Sequence, residues 1–458
     1  MRFFQDMLRI DTALRYCLAM VLVLVPFMSS AAQAGGLIRD AETEKLIRDY
    51  ARPIFKAAGL YGHNVKIHIV SDRAFNAFVV DGQNMFVHIG AITNSKTPNQ
   101  LIGVLAHETG HITGGHLARF RSQLKKAQSA SLMLQILSIA AMVGGAASGN
   151  SLGQAGGAAL QGGNSIIQRS ILAYRRVEES SADRAALSFL NRTHQSAKGM
   201  LQTFEFFANQ GLASLRSVDP YLQSHPMPRQ RLAQLRDLAR SSPYFNRLDS
   251  PALQRRHEMV KAKLIGFLDN PRTVFNLYRK SNQSLPARYA RAIASYRQSG
   301  LKSFLPKINA LIAEKPENPY FHEIKGQFLF EGGRPRNAVK PLRKAVSLVP
   351  NEPLIRVLLA QSLLSSNDDK LVDEAIRHLR KALGREDKYA TGYRQLATAY
   401  ARKRKISSAE LASAQAYFYE GRLDLAKQQA KRAQKKFKNG TAKWLIADDI
   451  LKFQRPKR

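Results

Sequence analysis

The chain is 458 residues long, 45% hydrophobic and 23% charged, which excludes a disordered or fibrous protein and is too long for one ordinary core. Its 70 Lys and Arg outnumber 34 Asp and Glu, giving +36, and about +25 of that excess lies in residues 251–458. A surface so basic calls for acidic partners, and the compartment decides which kind.

Residues 1–34 read as a processing signal. Arg2, Arg9 and Arg15 precede the apolar run YCLAMVLVLVPFM, and small residues then lead to Ala32-Gln33-Ala34, the A-x-A pattern of a cleaved leader. The run is short against the ~20 residues of a spanning helix. A mature chain is expected to begin near Gly35. The only cysteine, Cys17, would leave with the leader, so packing and metal rather than disulfides must hold the exported protein together. Export argues against nucleic acid and leaves an anionic membrane surface or an acidic protein as the target of the basic half.

Apolar residues at helical spacing in IRDAETEKLIRDYARPIFKAA, 38–58, predict a first helix. VKIHIVSD alternates apolar and polar residues, and NAFVVDGQNMFVHIGAI is β-rich on both sides of Asp81-Gly82, so neighbouring strands with a tight turn follow. Beyond the breaker Pro98, QLIGVLAHETGHITGGHLARF resumes the helical period. No charged residue falls between Lys126 and Arg169. The stretch 127–168 reads as a buried helix and a mobile loop that could serve as a lid, with a membrane-lying hairpin as the alternative. Helical spacing returns in IIQRSILAYRRVEESSADRAALSFL.

From about residue 270 the chain reads as almost wholly helical, and it repeats. Pro316 and Pro350, like Pro319 and Pro353, stand 34 residues apart, the tetratricopeptide period. Gly326, Gly333, Ala338 and Ala345 occupy that repeat's small-residue positions; Ala414, Gly421, Ala426 and Ala433 match them again. A weaker copy runs through Ala360, Ala375 and Ala382 if Asp368-Asp369-Lys370 is an insertion. Stacked helix pairs of this kind bury a continuous core and expose a face for a partner.

The chemistry lies in HETGHITGGH, residues 107–116. Four residues apart on a helix, His107 and His111 share a face and can hold one metal, while Glu108 beside them can take a proton from the attacking water. A third protein ligand is needed. His116 is one candidate, although its offset of five from His111 displaces it unless Gly114-Gly115 adopts special geometry; the other is a carboxylate of YRRVEESSADRAAL.

Asn76-Ala77-Phe78, MFVHIG, LAHETGHITGGH and YRRVEESSAD together resemble the HtpX and CAAX-prenyl-endopeptidase family of zinc metallopeptidases over roughly residues 40–245. The resemblance implies Zn2+, one per chain, with Glu179 of the E-x-x-A-D motif as third ligand. Side-chain direction agrees: Glu179 and Asp183 face the same way, the second placed to orient a ligand histidine, whereas Glu178 is turned about 100° aside. His116 then acts behind the ligands or in packing. The family also has a His-Pro segment after its zinc helices, which His225-Pro226 matches; His225 would either assist the developing oxyanion or fill the open metal position, and Arg231 is a weaker candidate for charge stabilisation.

The whole is expected to be α+β: a mainly helical gluzincin-type zincin peptidase domain with a small β-sheet over 35–265, then an all-α tetratricopeptide solenoid over 266–458. Leader, peptidase and repeats resemble the β-barrel assembly-enhancing protease type of Gram-negative envelopes. That resemblance implies a periplasmic zinc endopeptidase, sometimes peripheral to a membrane, that takes unfolded or misassembled envelope proteins and docks outer-membrane assembly machinery through its basic repeats. The competing readings are a latent-protease chaperone or scaffold and an integral membrane peptidase. An extended substrate is expected to add as a strand along the NAFVV edge.

Overall fold

The computed structural model describes residues 36–60, 65–129, 132–133, 152–213, 221, 225–226 and 229–454. The expected leader 1–34 lies outside them, as do 130–131 and 134–151 of the proposed lid; its residues 152–168 belong to a helix, which corrects the expectation of a loop there.

Helix α1 (Ala41–Ala57) starts where Asp40 accepts the Thr43 N–H at 2.8 Å, and buries Leu46, Ile47, Tyr50 and Ile54 along one stripe. A four-stranded sheet follows, with β1 (Leu37–Ile38), β2 (Lys66–Val70), β3 (Ala77–Val80) and β4 (Asn84–His88) in the order β1-β2-β4-β3. β2 runs parallel to β4 with Ile67 opposite Met85, and β3 runs antiparallel to β4 with Phe78 opposite Phe86. Asp81 and Gly82 both take positive φ, 54° and 69°, to make the predicted tight turn between β3 and β4. β3 therefore forms one edge of the sheet.

After the short α2 (Ile89–Asn94), α3 (Pro98–Gly114) carries HETGH through the core with Leu101, Val104 and Leu105 fully buried. The helical run is interrupted after the motif. Gly115 adopts the left-handed conformation, φ 63°, ends α3 with its N–H on the Ile112 carbonyl, and α4 begins again at 116 and runs to 129. α5 (Leu152–Arg192) brings E-S-S-A-D alongside α3. Contact there is backbone-close, because a Cβ on Gly110 would stand 2.7 Å from the Ala182 carbonyl oxygen and 2.9 Å from its Cα. α6 (Lys198–Ala213) and α7 (Arg229–Arg240) close the core around Phe204, Phe207 and Leu235.

α8 (Pro251–Leu268) belongs to two cores. Val260 and Leu264 pack with the sheet and α1, whereas Met259 packs with Tyr289, Phe321 and Phe328 of the helical half. The expected boundary at 265/266 falls within the last turn of this helix. Ile38–Arg458 is one compact unit, joined also by buried charge: Lys263 Nζ lies 2.5 Å from Asp40, 3.6 Å from Glu42 and 3.4 Å from Glu323.

Beyond α8 the described chain is entirely helical: α9 (Pro271–Leu277), α10 (Leu285–Glu314), α11 (Pro319–Glu331), α12 (Pro335–Leu348), α13 (Pro353–Ser365), α14 (Val372–Leu383), α15 (Ala390–Arg402), α16 (Ile406–Tyr419), α17 (Leu423–Gln434) and α18 (Ala442–Lys452), with a 3-10 turn, Asp369–Leu371, at the expected insertion. α10 is two helices in series, divided where Gly300 takes φ 69°. The small residues act as predicted. A Cβ on Gly326 would strike the Leu342 side chain, and Ala338, Ala345, Ala375, Ala382, Ala426 and Ala433 have no exposed surface. α16 has two buried faces, Ala412 and Ala416 in one cluster and Leu411 and Ala414 in the next. Among the described residues no helix is long and apolar enough to cross a membrane.

Candidate metal centre

α3 presents His107 and His111 one turn apart toward α5, and Gly110 lets Glu179 reach both. His107 Nε2 lies 3.3 Å from Glu179 Oε2, His111 Nε2 lies 3.4 Å from Glu179 Oε1, and the two Nε2 atoms are 3.1 Å apart. His225 joins them: its Nδ1 is 3.3 Å from His107 Nε2 and 3.2 Å from each Glu179 oxygen. These four residues bring one ligand atom each within 4.8 Å of one another.

The set suits a divalent cation on two counts. Ligands about 2.0–2.1 Å from a tetrahedral zinc stand about 3.3 Å from one another, the scale of the separations above. Three buried carboxylates, Glu108, Glu179 and Asp183, also face a single buried guanidinium, Arg231. Burial opposes protonation of His107, yet the Asp183 and Glu179 carboxylates outweigh it and raise its pKa to about 9, so the local field favours added positive charge.

Two supports surround the cluster. Asp183 Oδ1 lies 2.9 Å from His107 Nδ1, and Arg231 grips Asp183 through both oxygens at 2.6 and 2.8 Å while its Nη1 reaches Glu179 at 2.8 Å. Burial disfavours the Glu179 anion, but His225, His107 and Arg231 hold its carboxyl well below the ordinary range. Arg231 is buried, and besides these two carboxylates its Nη1 donates to the Pro226 carbonyl at 2.9 Å. On the other side His116 lies behind His111, its Nδ1 2.9 Å from His111 Nδ1 and its Nε2 2.7 Å from Glu178, which accepts two hydrogen bonds from Arg119. His116 is not among the clustered ligand atoms. Spacing alone does not announce Arg119, although its place one turn after His116 was a usable signal.

Glu108 is 1% exposed, its Oε1 3.3 Å from His225 Nε2, and burial raises its carboxyl above the ordinary carboxylate range despite the nearby His225 and His107. Such a shift moves a carboxyl toward the range where it both accepts and returns protons near neutral pH. Glu108, His111 and His225 open onto a cleft walled by Phe78, Val79 and Phe120, so edge strand β3 borders the candidate site.

The model of peptidase family M48 matches residues 38–239, which contain the cluster and its supports. Over those residues the chain is similar to the M48 peptidases. The chain is a metallopeptidase, as the motif set led one to expect. The chain is 25% identical over 367 residues to the Beta-barrel assembly-enhancing protease of Escherichia coli (strain K12), covering 78% of this chain and 72% of that one. It is 24% identical over 302 residues to its counterpart from Yersinia pestis, covering 64% and 60%. Metalloprotease YcaL of Escherichia coli (strain K12) is 26% identical over 196 residues, 41% of this chain and 69% of that one. Among solved structures, the TPR protein YrrB aligns with 38% of this chain and 91% of its own at 18% identity, with a TM-score of 0.33.

Proposed function

We propose that the protein is a periplasmic zinc endopeptidase that cleaves unfolded or misassembled envelope proteins, with residues 35–265 as the hydrolytic part and the basic repeats, 266–458, as the part that docks an acidic partner in outer-membrane protein assembly. The observation that carries the reading is the convergence of His107, His111 and Glu179 beside the buried Glu108, under a sheet edge. The names of the relatives support the assembly context and the charge of the helical half supports the docking role.

Zinc, when bound, supplies a Lewis acid and makes water nucleophilic near neutral pH. The chain does the rest. His107, His111 and Glu179 hold the metal; Asp183, clamped by Arg231, fixes the His107 ring. β3 pairs with an extended substrate along the edge it presents opposite β4, and the apolar cleft wall receives alternate side chains. Glu108 takes the proton of the attacking water and returns it to the leaving amine.

A second reading, that binding dominates and hydrolysis is latent, draws on His225. Its ring stands at the fourth corner of the cluster and within 3.3 Å of Glu108, where it competes with a substrate carbonyl. We favour this closing role for His225 over stabilisation of an oxyanion. Purified wild type and Glu108→Gln, compared for zinc content and for cleavage of an unfolded protein, test the enzyme: equal zinc with activity lost only in the variant supports it. Equal, negligible cleavage with partner binding intact supports the scaffold, and a wild type without zinc overturns the metal assignment.

A further inference from the structure

We infer that His116, Glu178 and Arg119 form an orienting relay for His111, so that the third histidine of HETGHITGGH acts on the metal through the second. The inference rests on the reading of His111 as a ligand and deepens it. His111 turns Nε2 toward Glu179 and Nδ1 toward His116, so His116 sits on the ring edge opposite the cluster.

The hydrogen-bond chain admits one consistent arrangement of protons. A ligating Nε2 needs its lone pair, which places the His111 proton on Nδ1. His116 Nδ1, 2.9 Å away, must then accept, so His116 carries its proton on Nε2, whose nearest carboxylate is Glu178, with Oε2 2.7 Å away. Arg119 fills both Glu178 oxygens from the far side, Nε to Oε1 at 3.2 Å and Nη2 to Oε2 at 2.8 Å. Each ligand histidine thus ends on an arginine-clamped carboxylate, His107 directly on Asp183 and Arg231, His111 through an interposed imidazole on Glu178 and Arg119.

The two glycines exist for this arrangement. Gly115, at φ 63°, breaks the helix and turns His116 back, and Gly114 leaves the space its ring occupies, since a Cβ there would fall on the His116 imidazole. An offset of five, too short to close a metal site directly, is the offset that lays the ring against the back of His111.

The test is zinc release from the loaded full-length chain to a competing chelator, alongside a thermal midpoint. His116→Leu, which fills the site without an acceptor, is expected to weaken zinc binding about 10–100-fold, the usual cost of removing such a support. His116→Gln, whose carbonyl accepts from His111 and whose amide donates to Glu178, is expected to recover binding to within roughly threefold of wild type. A packing role makes the two variants alike, and that result overturns the relay. Should His116→Leu not fold, Glu178→Ala decides: unchanged zinc release overturns the relay, and release several-fold faster supports it. If His111→Ala keeps wild-type zinc affinity, the ligand reading fails and the relay with it, an outcome separable from failure of the relay alone.

Discussion

The backbone-to-backbone approach that constrains the site is at Gly110, in the middle of HETGH. Adding one methyl group there places Cβ 2.7 Å from the Ala182 carbonyl oxygen, where 3.4 Å is ordinary contact. Both obstacles, Ala182 O and Cα, are backbone and cannot rotate away, so α3 and α5 must separate by roughly 0.7 Å. Glu179 stands three residues before Ala182 and moves with it, away from His107 and His111. Misplacement near 1 Å costs about 10²-fold in rate, and loss of ligand support costs about 10–100-fold in metal affinity. Stability changes less, because overpacking costs about 1–3 kcal/mol while alanine gains up to ~1 kcal/mol over glycine within a helix. Gly110→Ala is therefore expected to fold, release zinc about 10–100-fold more readily, and lose cleavage of an unfolded protein in parallel. Gly103→Ala is the control two turns earlier: its Cβ would meet Met200 Cβ at 2.5 Å, which strains the contact with α6 and lowers the thermal midpoint while zinc is kept. Wild-type zinc affinity and activity in Gly110→Ala would refute the argument that this approach sets the ligand geometry.

Three other outcomes are expected. His225→Ala keeps its zinc and cleaves an unfolded substrate faster, about tenfold if one molecule in ten is open in the wild type; a slower rate at equal zinc assigns His225 to the oxyanion instead. His257 is buried between the Tyr50 hydroxyl at 3.1 Å and the Ser95 carbonyl at 3.0 Å, and burial pushes it down to about 4. Its neutral form is favoured in the fold, so its contribution is intact above about pH 6.5 and is lost as pH falls toward 4, by up to about 3 kcal/mol; denaturant unfolding at pH 7 and 4.5 should show a smaller acid loss in His257→Gln than in wild type. Glu323, buried with Lys263, Asp40, Glu42, Glu352 and Tyr289 around it, is raised to about 7 by burial and by the neighbouring carboxylates against the pull of Lys263. Its protonated form stabilises the fold below about pH 4.5 and that contribution is lost as pH rises through 7, so Glu323→Gln should gain roughly 1–3 kcal/mol more at pH 8 than at pH 5, and an equal effect at both would count against a strained carboxylate there.

What the sequence discloses here is what short-range geometry controls. His107 with His111, and Glu179 with Asp183, are pairs four residues apart, and helix periodicity alone places each pair on one face. The repeat glycines and alanines are legible for the same reason, since each marks a close approach that recurs at a fixed period. What stays hidden depends on contacts between distant segments. Nothing local says that Arg231 turns inward to Asp183 and Glu179 rather than outward to a substrate, because its partners lie about fifty residues earlier on another helix. Nothing in a small-residue pattern shows α16 packing into two clusters, or α8 lending Val260 to one core and Met259 to another.

His116 lies between these cases. Its offset argues against direct ligation, and the glycine pair before it says that the chain turns back, yet only the placement of Glu178 and Arg119 gives that turn a purpose. The same near-miss in spacing that weakens His116 as a ligand leaves its Nδ1 2.9 Å behind a ligand, with Glu178 beyond it. A metal helix whose second histidine must be held from outside then needs a flexible joint one residue before its support, and Gly114-Gly115 supplies both the turn and the space.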